Sequence, residues 1–194
     1  KMYGVILAAG RGSRLRHLTD VLPKCLTPLM GKPLLDWQLE ALNSAGLNQL
    51  IVVRGFNKEK IRPDQVVCVD NLNWSSTNMV YSLSCAIPKI SSNAFIVSYS
   101  DIAYPPDWVR LLMDCNNDLA ITYDTDWYRL WAMRSENPLD DAETFRVNND
   151  GLVIELGSCA STVTDIQGQF MGLLRFTQKA WIWAEEIISS LPEK

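Results

Sequence analysis

The sequence contains a single histidine, His17, among its 194 residues. A Ser–His–Asp triad or a Cys–His pair would depend on that one imidazole, which argues against both kinds of site. Positive charge is also scarce, since 18 Lys and Arg residues face 22 Asp and Glu residues and give a net charge of −4. Without a sequence-wide positive field, we expect neither nucleic acid nor an anionic membrane as a partner.

Long apolar runs and closely spaced cysteines are missing as well. The longest apolar run, residues 5–9, is far shorter than the ~20 residues of a membrane span, and no signal peptide is recognised before it. The 5 cysteines are odd in number and scattered, and they form no CxxC pair. This usage argues against a disulfide framework or a zinc site and favours a reducing compartment, so we expect a cytoplasmic protein.

What the sequence does contain is ordinary globular composition, 47% hydrophobic and 21% charged. Buried apolar runs alternate with stretches of helical periodicity. We predict strands at residues 3–8, 49–53, 66–69, 94–99, 119–123 and 168–176, and helices at 34–45, 75–87 and from 105. A last helix is predicted to be capped by Thr177 and to have Ile188 on its inward face. Residues 144–156 are typical of a β-hairpin with its turn at 148–151. This order predicts an α/β fold, with a mostly parallel sheet flanked by helices and a β-hairpin insertion.

A glycine-rich loop with several arginines follows the first predicted strand. Gly10 and Gly12 allow backbone N–H groups to approach an anion, and Arg14, helped by Arg11, adds charge-assisted donors. The third glycine of a dinucleotide fingerprint is replaced by Leu15, and the GK[ST] end of a P-loop is absent. The loop therefore predicts a phosphate site of another kind, the alternative being a glycine-rich turn with solvated arginines.

Three motifs follow one another in fixed order: LAAGRGSRL, LPKCLTPL and GKPLLDWQLEAL. Together they resemble the nucleotidyltransferase family that makes nucleotide-sugars and CDP-alcohols, most nearly its choline-phosphate and phosphonate cytidylyltransferases. The resemblance extends from about residue 5 to residue 176. It implies a Rossmann-like sheet that binds a nucleoside triphosphate at the carboxyl ends of its strands.

The resemblance also implies roles for individual residues near the N-terminus. Lys24 and Arg14 would be catalytic cations, which suits a transition state that gathers negative charge around phosphorus. The alternative for Lys24 is an ordinary surface lysine. The residues expected to hold the triphosphate are Leu7, Ala8, Ala9, Gly10, Arg11, Gly12 and Ser13.

Asp101 directly follows the predicted strand at 94–99, where open α/β sheets bind their ligands. We expect it to be a catalytic residue and to ligate Mg²⁺, which would neutralise and align the triphosphate; the alternative is a carboxylate that caps the next turn. Relatives carry a second metal carboxylate nearer their C-terminus. We therefore expect residues 1–194 to form a single nucleotidyltransferase domain that lacks its C-terminal segment.

The resemblance also assigns a group of polar residues to the nucleoside. Asn71, Thr77, Asn78 and Ser82 would contact the base and ribose, the alternative being helix capping by Ser76 and Thr77 with Asn78 solvated. The preference for cytosine rests on the resemblance alone. The acceptor pocket, formed around the hairpin insertion, is predicted from a segment dense in aromatic and charged residues: Asp126, Trp127, Arg129, Trp131, Arg134, Asp141 and Glu143. Gln169 is added because its strand matches the one that lines this pocket in relatives.

Those acceptor residues suit a small zwitterionic molecule. Tryptophan faces and carboxylates attract an ammonium group, and arginines bind a phosphate or phosphonate. The alternative is that the tryptophans are core residues and the acids a solvated edge. Trp127 and Trp131 are four apart, so one helical turn would place both rings on the same side.

These observations predict an enzyme that transfers CMP from CTP to choline phosphate, ethanolamine phosphate or 2-aminoethylphosphonate and releases pyrophosphate. The alternatives are a sugar-1-phosphate nucleotidyltransferase and a non-catalytic nucleotide-binding regulatory module of the same fold. The sequence leaves a homodimer or a fusion to another enzyme domain open.

Overall fold

The computed structural model describes residues 2–12 and 22–190 and divides the chain into two compact units. The larger unit comprises residues 1–120 and 172–194, and the smaller one residues 121–171. Ser13 and Arg14, predicted to bind the triphosphate and to act in catalysis, lie outside the described residues.

The larger unit is built from strands that alternate with helices. Its elements are β1 (Tyr3–Ala8), β2 (Pro28–Leu29), β3 (Lys32–Pro33), α1 (Leu34–Ser44), β4 (Gln49–Arg54), β5 (Val67–Asp70), α2 (Met79–Ala86), β6 (Ala94–Tyr99) and α3 (Pro106–Asp114). Strand β7 (Leu119–Asp124) leads out of this unit, the smaller unit holds α4 (Trp127–Arg134), β8 (Glu143–Val147) and β9 (Val153–Cys159), and β10 (Gln169–Thr177) leads back to α5 (Gln178–Ser190).

The main sheet has the strand order β5-β4-β1-β6-β10-β7. Strand β1 pairs in parallel with β4 and β6, β4 pairs in parallel with β5, and β10 runs antiparallel to β6. The carboxyl ends of β5, β4, β1 and β6 therefore share one edge of the sheet. The predicted α/β fold with a mostly parallel sheet is confirmed.

Both faces of the sheet are covered, which explains why β1 is apolar throughout. Ile6 and Ala8 belong to a core that includes residues of α1 and α3. Val5 and Leu7 belong to a second core that includes residues of α2 and α5. Because side chains alternate between the faces of a strand, a single run supplies both cores.

The smaller unit contains the predicted hairpin. Strands β8 and β9 pair antiparallel, and Asn148 N donates to Leu152 O at 2.9 Å to close the turn. Gly151 has a φ of +77°, a conformation that glycine adopts without steric cost. Trp127, Ala142 and Ile166 form a small core of their own.

Two predictions about the helices are wrong in detail. The helix predicted from residue 75 begins at Met79, because Ser76 and Thr77 instead hydrogen-bond to Asn73 O and hold a turn. In α5, Ile188 is 41% exposed rather than inward-facing, since the buried residues of this helix, Ala180 and Trp181, lie near its start. Within residues 2–12 and 22–190, no helix has the length and apolar character needed to cross a membrane.

Candidate active site

Lys24 and Asp101, 77 residues apart in the sequence, form an ion pair in the larger unit. Lys24 begins the short 3₁₀-helix Lys24–Leu26, which follows Pro23. Asp101 lies in the turn after β6, at the carboxyl edge of the sheet. The two side chains are 28% and 33% exposed, so the pair faces solvent but is partly enclosed. The fold thus brings together the predicted catalytic cation and the predicted metal ligand.

Cys25 anchors the backbone beside Lys24. Its side chain is buried in the same core as residues of α1. Burial raises the pKa of the Cys25 thiol to about 12, so the thiol is neutral at pH 7 and is not a nucleophile. Its contribution is therefore to fix the short helix from which the Lys24 side chain extends.

Gly12 lies against the aliphatic part of Lys24. Its φ is +69°, and a Cβ at this position would lie 3.0–3.3 Å from Cβ, Cγ and Cδ of Lys24. The backbone conformation therefore favours glycine, and any other residue here would push the Lys24 side chain by a few tenths of an ångström. The second glycine of the predicted phosphate loop thus leaves room for the lysine stem, a role that the sequence motif did not indicate.

Gln38 holds the turn that carries Asp101. This residue of α1 has no exposed surface, and its Nε2 donates to Tyr99 O at 2.9 Å and to Ile102 O at 2.5 Å. Sequence reasoning missed Gln38. The signal was a polar residue on the apolar stripe that Leu35 and Leu42 form on α1.

The end of β4 packs closely against the end of β1. A Cβ on Gly55 would lie 2.5 Å from Ala9 O and 2.6 Å from Trp74 Cβ, so no other residue fits there without a shift. Phe56 N donates to Ala9 O at 2.9 Å. The Arg11 guanidinium lies over the Phe56 ring, 5.6 Å from its centroid. Gly55 is a second residue that the sequence reasoning missed, although it directly follows a buried strand.

The other residues predicted for the triphosphate loop divide by burial. Leu7, Ala8 and Ala9 are buried in the cores on either side of the sheet, so only their backbone groups are suited to a ligand contact. Gly10 is exposed, and nothing lies within 4 Å of the Cβ position. The binding role of this loop stays a prediction.

Asn71 is the centre of a hydrogen-bond network at the end of β5. It is 2% exposed, and its Nδ2 donates to Thr77 Oγ1 and to Ser82 Oγ, both at 3.0 Å. Its Oδ1 accepts from Asn73 N at 2.9 Å. These bonds join the loop to α2, so three of the four residues predicted to contact the nucleoside are already engaged with one another.

The fourth residue, Asn78, caps α2. Its Oδ1 accepts from Tyr81 N at 3.1 Å, which satisfies a donor at the helix N-terminus. Helix capping, the alternative predicted from the sequence, therefore occurs, but the capping residue is Asn78 rather than Ser76 or Thr77. Contact with a base or ribose stays a prediction for all four residues.

A charged cluster that the sequence reasoning missed joins the ends of β4 and β5. Asp70 accepts from Arg54 at 2.8 Å and from Lys58 at 2.9 Å. Burial acts to raise the pKa of Asp70, but hydrogen bonds from Lys58 and Arg54 outweigh it and hold that pKa below its ordinary value. The hydrogen bond with Asp70 raises the pKa of Arg54 in turn. The cluster fixes two adjacent strand ends in the larger unit.

In the smaller unit, the two tryptophans predicted for the acceptor lie edge to face on α4. Their ring centroids are 6.1 Å apart. Trp127 is 3% exposed and its Nε1 donates to Ile166 O at 3.3 Å, so it is a core residue. Trp131 is half-buried and donates to Asp141 O at 3.3 Å. Trp131 therefore remains the tryptophan suited to meet an acceptor.

Gln169 is also engaged within the smaller unit. Its Oε1 accepts from Glu143 N at 3.2 Å, and its Nε2 donates to Glu143 O at 2.6 Å and to Gly168 O at 2.9 Å. These bonds tie the start of β10 to β8. The amide has a structural role here, and its predicted orientation of an acceptor would need a further hydrogen bond.

The charged residues predicted for the acceptor lie on the surface of the smaller unit. Asp126 accepts from Arg129 at 2.7 Å, with both side chains more than half exposed. The Arg134 guanidinium lies 5.1 Å from the centroid of the Trp131 ring. Asp141 and Glu143 are exposed. Acceptor binding stays a prediction for each of them.

Asp101 is the one carboxylate predicted for the Mg²⁺ site, and it faces solvent at the carboxyl edge of the sheet. Within the described ranges, no three His, Cys, Asp or Glu side chains converge as a metal-binding group. Mg²⁺ is commonly held by one or two carboxylates together with phosphates and water. The single carboxylate of Asp101 fits that pattern, and its role as a metal ligand stays a prediction.

Comparison with known proteins identifies the class. Residues 4–148 match the model of the MobA-like NTP transferase domain. The chain belongs to this family and is a nucleotidyltransferase, as its N-terminal motifs predict. A solved inositol-1-phosphate CTP transferase from T. maritima has the same fold, with a TM-score of 0.74 at 21% identity over 95% of this chain and 74% of that one.

Two curated relatives of the chain are cytidylyltransferases. The chain is 38% identical over 186 residues to the CTP:phosphoglutamine cytidylyltransferase of Campylobacter jejuni, covering 91% of this chain and 73% of the relative. It is 29% identical over 140 residues to the choline-phosphate cytidylyltransferase of Streptococcus pneumoniae, covering 65% of this chain and 61% of the relative. The chain therefore spans less than two thirds of the second relative.

Proposed function

We propose that this protein transfers CMP from CTP to the phosphate or phosphonate of a small acceptor and releases pyrophosphate. The observation that carries the proposal is the Lys24–Asp101 pair at the carboxyl edge of the sheet, with Gly12 packed on the lysine stem. The 38% identity to a cytidylyltransferase over 91% of the chain supports CTP as the nucleotide.

The reaction requires the protein to position the two substrates and to stabilise the negative charge that develops around the α-phosphorus. An acceptor phosphate oxygen, already ionised at neutral pH, attacks the α-phosphorus of CTP. A new P–O bond forms as the bond to the bridging oxygen breaks, and pyrophosphate leaves with the electron pair. No proton has to be removed, which suits a chain with one histidine. Lys24 would stabilise the charge that develops on the α-phosphoryl oxygens.

Asp101 would hold Mg²⁺ together with the phosphates of CTP. The bound ion would supply charge neutralisation and alignment of the triphosphate. The Lys24 ammonium group forms an ion pair with the Asp101 carboxylate. We propose that Lys24 exchanges this carboxylate for a phosphate oxygen when nucleotide binds, so that neither charge is left unpaired in the partly enclosed site.

The acceptor is proposed as a small zwitterion. Choline phosphate, ethanolamine phosphate and 2-aminoethylphosphonate combine a cationic amine with a phosphate or phosphonate, and phosphoglutamine, from the name of the 38% identical relative, has an amine as well. In the smaller unit the Arg134 guanidinium lies over the Trp131 ring, and Trp131 donates to the backbone carbonyl of Asp141, so an aromatic ring, a guanidinium and an acidic residue are neighbours. These groups match the chemistry of such acceptors.

The test is a pyrophosphate-release assay of CTP, UTP, ATP and GTP against those four acceptors and a sugar 1-phosphate. Turnover with CTP and a zwitterionic acceptor is expected. Lys24→Met should lower kcat by about 10²–10³-fold, the usual loss of one transition-state charge contact. Lys179→Met is the matched control: it removes the lysine that pairs with Asp118 at 2.9 Å in the same unit and should leave kcat unchanged.

Three outcomes would contradict the proposal. Turnover with UTP and a sugar 1-phosphate alone would identify a sugar nucleotidyltransferase. CTP binding without pyrophosphate release under any acceptor would favour a regulatory module. An equal loss of kcat in Lys24→Met and Lys179→Met would mean that Lys24 has no special place in the reaction.

A further inference from the structure

We infer that Gln38 is a positioning residue for the proposed cytidylyl transfer, which it serves by fixing the turn that presents Asp101. The inference rests on the proposed function, because it assigns Gln38 to the reaction through Asp101. Gln38 itself lies on α1, away from solvent. It contacts the backbone on either side of the carboxylate rather than any reacting atom.

The two hydrogen bonds of Gln38 bracket Asp101. Its Nε2 donates to Tyr99 O at 2.9 Å and to Ile102 O at 2.5 Å, so one amide group joins the last residue of β6 to the residue after Asp101. Ser100 and Asp101 lie between the two carbonyl groups that Gln38 binds, so they form the tip of the turn. Both donors of the amide are thus used to set where the Asp101 carboxylate emerges.

The side-chain oxygen of Gln38 shows that packing alone does not explain why this position is a glutamine. Among the described residues, Gln38 Oε1 is buried and has no hydrogen-bond partner. A buried acceptor left unpaired is unfavourable, and an apolar side chain of similar volume would avoid that cost. Leu35 and Leu42, its neighbours on the same helix face, are apolar and buried. A glutamine here is explained by what its Nε2 holds.

The geometry also links the two members of the candidate site. The core that contains Leu35 and Leu42 of α1 also contains Cys25, beside Lys24. One helix therefore packs near the backbone of Lys24 and holds the backbone around Asp101. A small shift of the turn would change the separation of ammonium and carboxylate, and with it the place available to the metal and the triphosphate.

The test compares Gln38→Met, which keeps the volume and removes both donors, with Leu42→Ala on the same helix as a packing control. Gln38→Met should lower kcat and raise the Mg²⁺ concentration for half-maximal turnover, each about tenfold, as outer residues of metal sites do. The KM for CTP should change less than twofold. Leu42→Ala should lower the melting temperature without changing the Mg²⁺ dependence.

A double-mutant cycle identifies the route of the effect. If Gln38 acts through Asp101, adding Gln38→Met to Asp101→Asn should lower kcat no further, whereas independent roles would multiply the two losses and overturn the inference. Gln38→Glu, which keeps one donor when protonated, should give an intermediate loss, and it replaces Gln38→Met if that variant does not fold.

Amide hydrogen exchange gives a readout that needs no turnover. In Gln38→Met, exchange at residues 100–102 should quicken at least tenfold relative to wild type, while exchange in β1 stays unchanged. Unchanged exchange at 100–102 would overturn the inference even if the enzyme is active. A wild-type protein without pyrophosphate release would instead refute the proposed function, and the exchange experiment would still decide whether Gln38 holds the turn.

Discussion

The two compact units of this protein use their predicted functional residues in different ways. In the larger unit, Lys24 and Asp101 meet at the solvent-facing edge of a sheet, and buried neighbours such as Cys25 and Gln38 fix the backbone around them. In the smaller unit, Trp127 and Gln169 are themselves the buried residues that hold the unit together. In the larger unit, other residues hold the backbone around the charged groups. In the smaller unit, residues predicted to bind the acceptor also hold the unit together.

This difference has a consequence for how the two regions tolerate change. A site supported by other residues can lose a charged group and keep its fold, since exposed polar groups contribute little to stability. A site built from its own core loses stability when the same residue is altered. Activity and stability should therefore separate cleanly in the larger unit and move together in the smaller one.

The largest effect is expected from Trp127→Ala. Removing a buried tryptophan should destabilise the smaller unit by about 3–5 kcal/mol, because the ring fills a core that includes Ala142 and Ile166. Trp131→Ala, at a half-buried position on the same helix, should cost less. Amide exchange in β8, followed with increasing denaturant, measures both.

The same pair of variants tests whether the two units differ in this way. If Trp127→Ala raised the KM for the acceptor and left amide exchange in β8 unchanged, Trp127 would be a binding residue, and the smaller unit would resemble the larger one. The expected result is the reverse: Trp131→Ala raises that KM with a smaller effect on exchange.

A smaller effect is expected from Gly12→Ala in the larger unit. Adding a Cβ where φ is +69° costs about 1 kcal/mol and also places that atom 3.0–3.3 Å from the Lys24 stem. Gly31→Ala is the matched control, because its φ is +80° and nothing lies within 4 Å of its Cβ position. Both variants should lose similar stability in urea unfolding, and Gly12→Ala alone should also lose kcat, by about tenfold.

Equal kcat in the two glycine variants would mean that the position of Lys24 is insensitive to Gly12. It would then be wrong to describe the lysine as supported by the loop, and the contrast between the two units would weaken. Equal stability losses are needed for this reading, since they show that the backbone cost has been matched.

The smallest effect is expected from Asp70→Asn. Since its partners hold the pKa of Asp70 below its ordinary value, the ionised carboxylate stabilises the folded state above pH ~4. That stability is lost as the pH falls through the folded pKa. The free energy of unfolding should differ between wild type and variant by no more than about 1 kcal/mol at pH 7, and the difference should shrink below pH ~4.

Asp126→Asn in the smaller unit is the control for the Asp70 experiment. Its ion pair with Arg129 is mostly exposed, so its removal should leave the free energy of unfolding nearly unchanged at pH 7. A gap between wild type and Asp70→Asn that stayed constant from pH 7 to pH 3 would show that the Arg54–Asp70–Lys58 cluster does not stabilise through charge.

Much of the larger unit could be predicted from local sequence pattern. The bounds of β1 and β6 agree with prediction because each is a short, mainly apolar run that ends at a turn. Thr177 was predicted to cap α5, and its Oγ1 accepts from Ala180 N at 3.2 Å. The start of α2 was not predictable in this way, since several residues in 75–78 are good caps and the choice among them depends on which other hydrogen bonds the loop makes.

The sequence by itself determined the α/β class, the glycine loop, and Lys24 and Asp101 as residues of interest, because alternation of apolar runs and short-range motifs are local properties. Only the tertiary structure decided which of these residues meet. Lys24 meets Asp101 across 77 residues of sequence, and Trp127 and Gln169 are buried and bonded within the smaller unit. Partners and burial depend on contacts between distant segments, which no local pattern specifies.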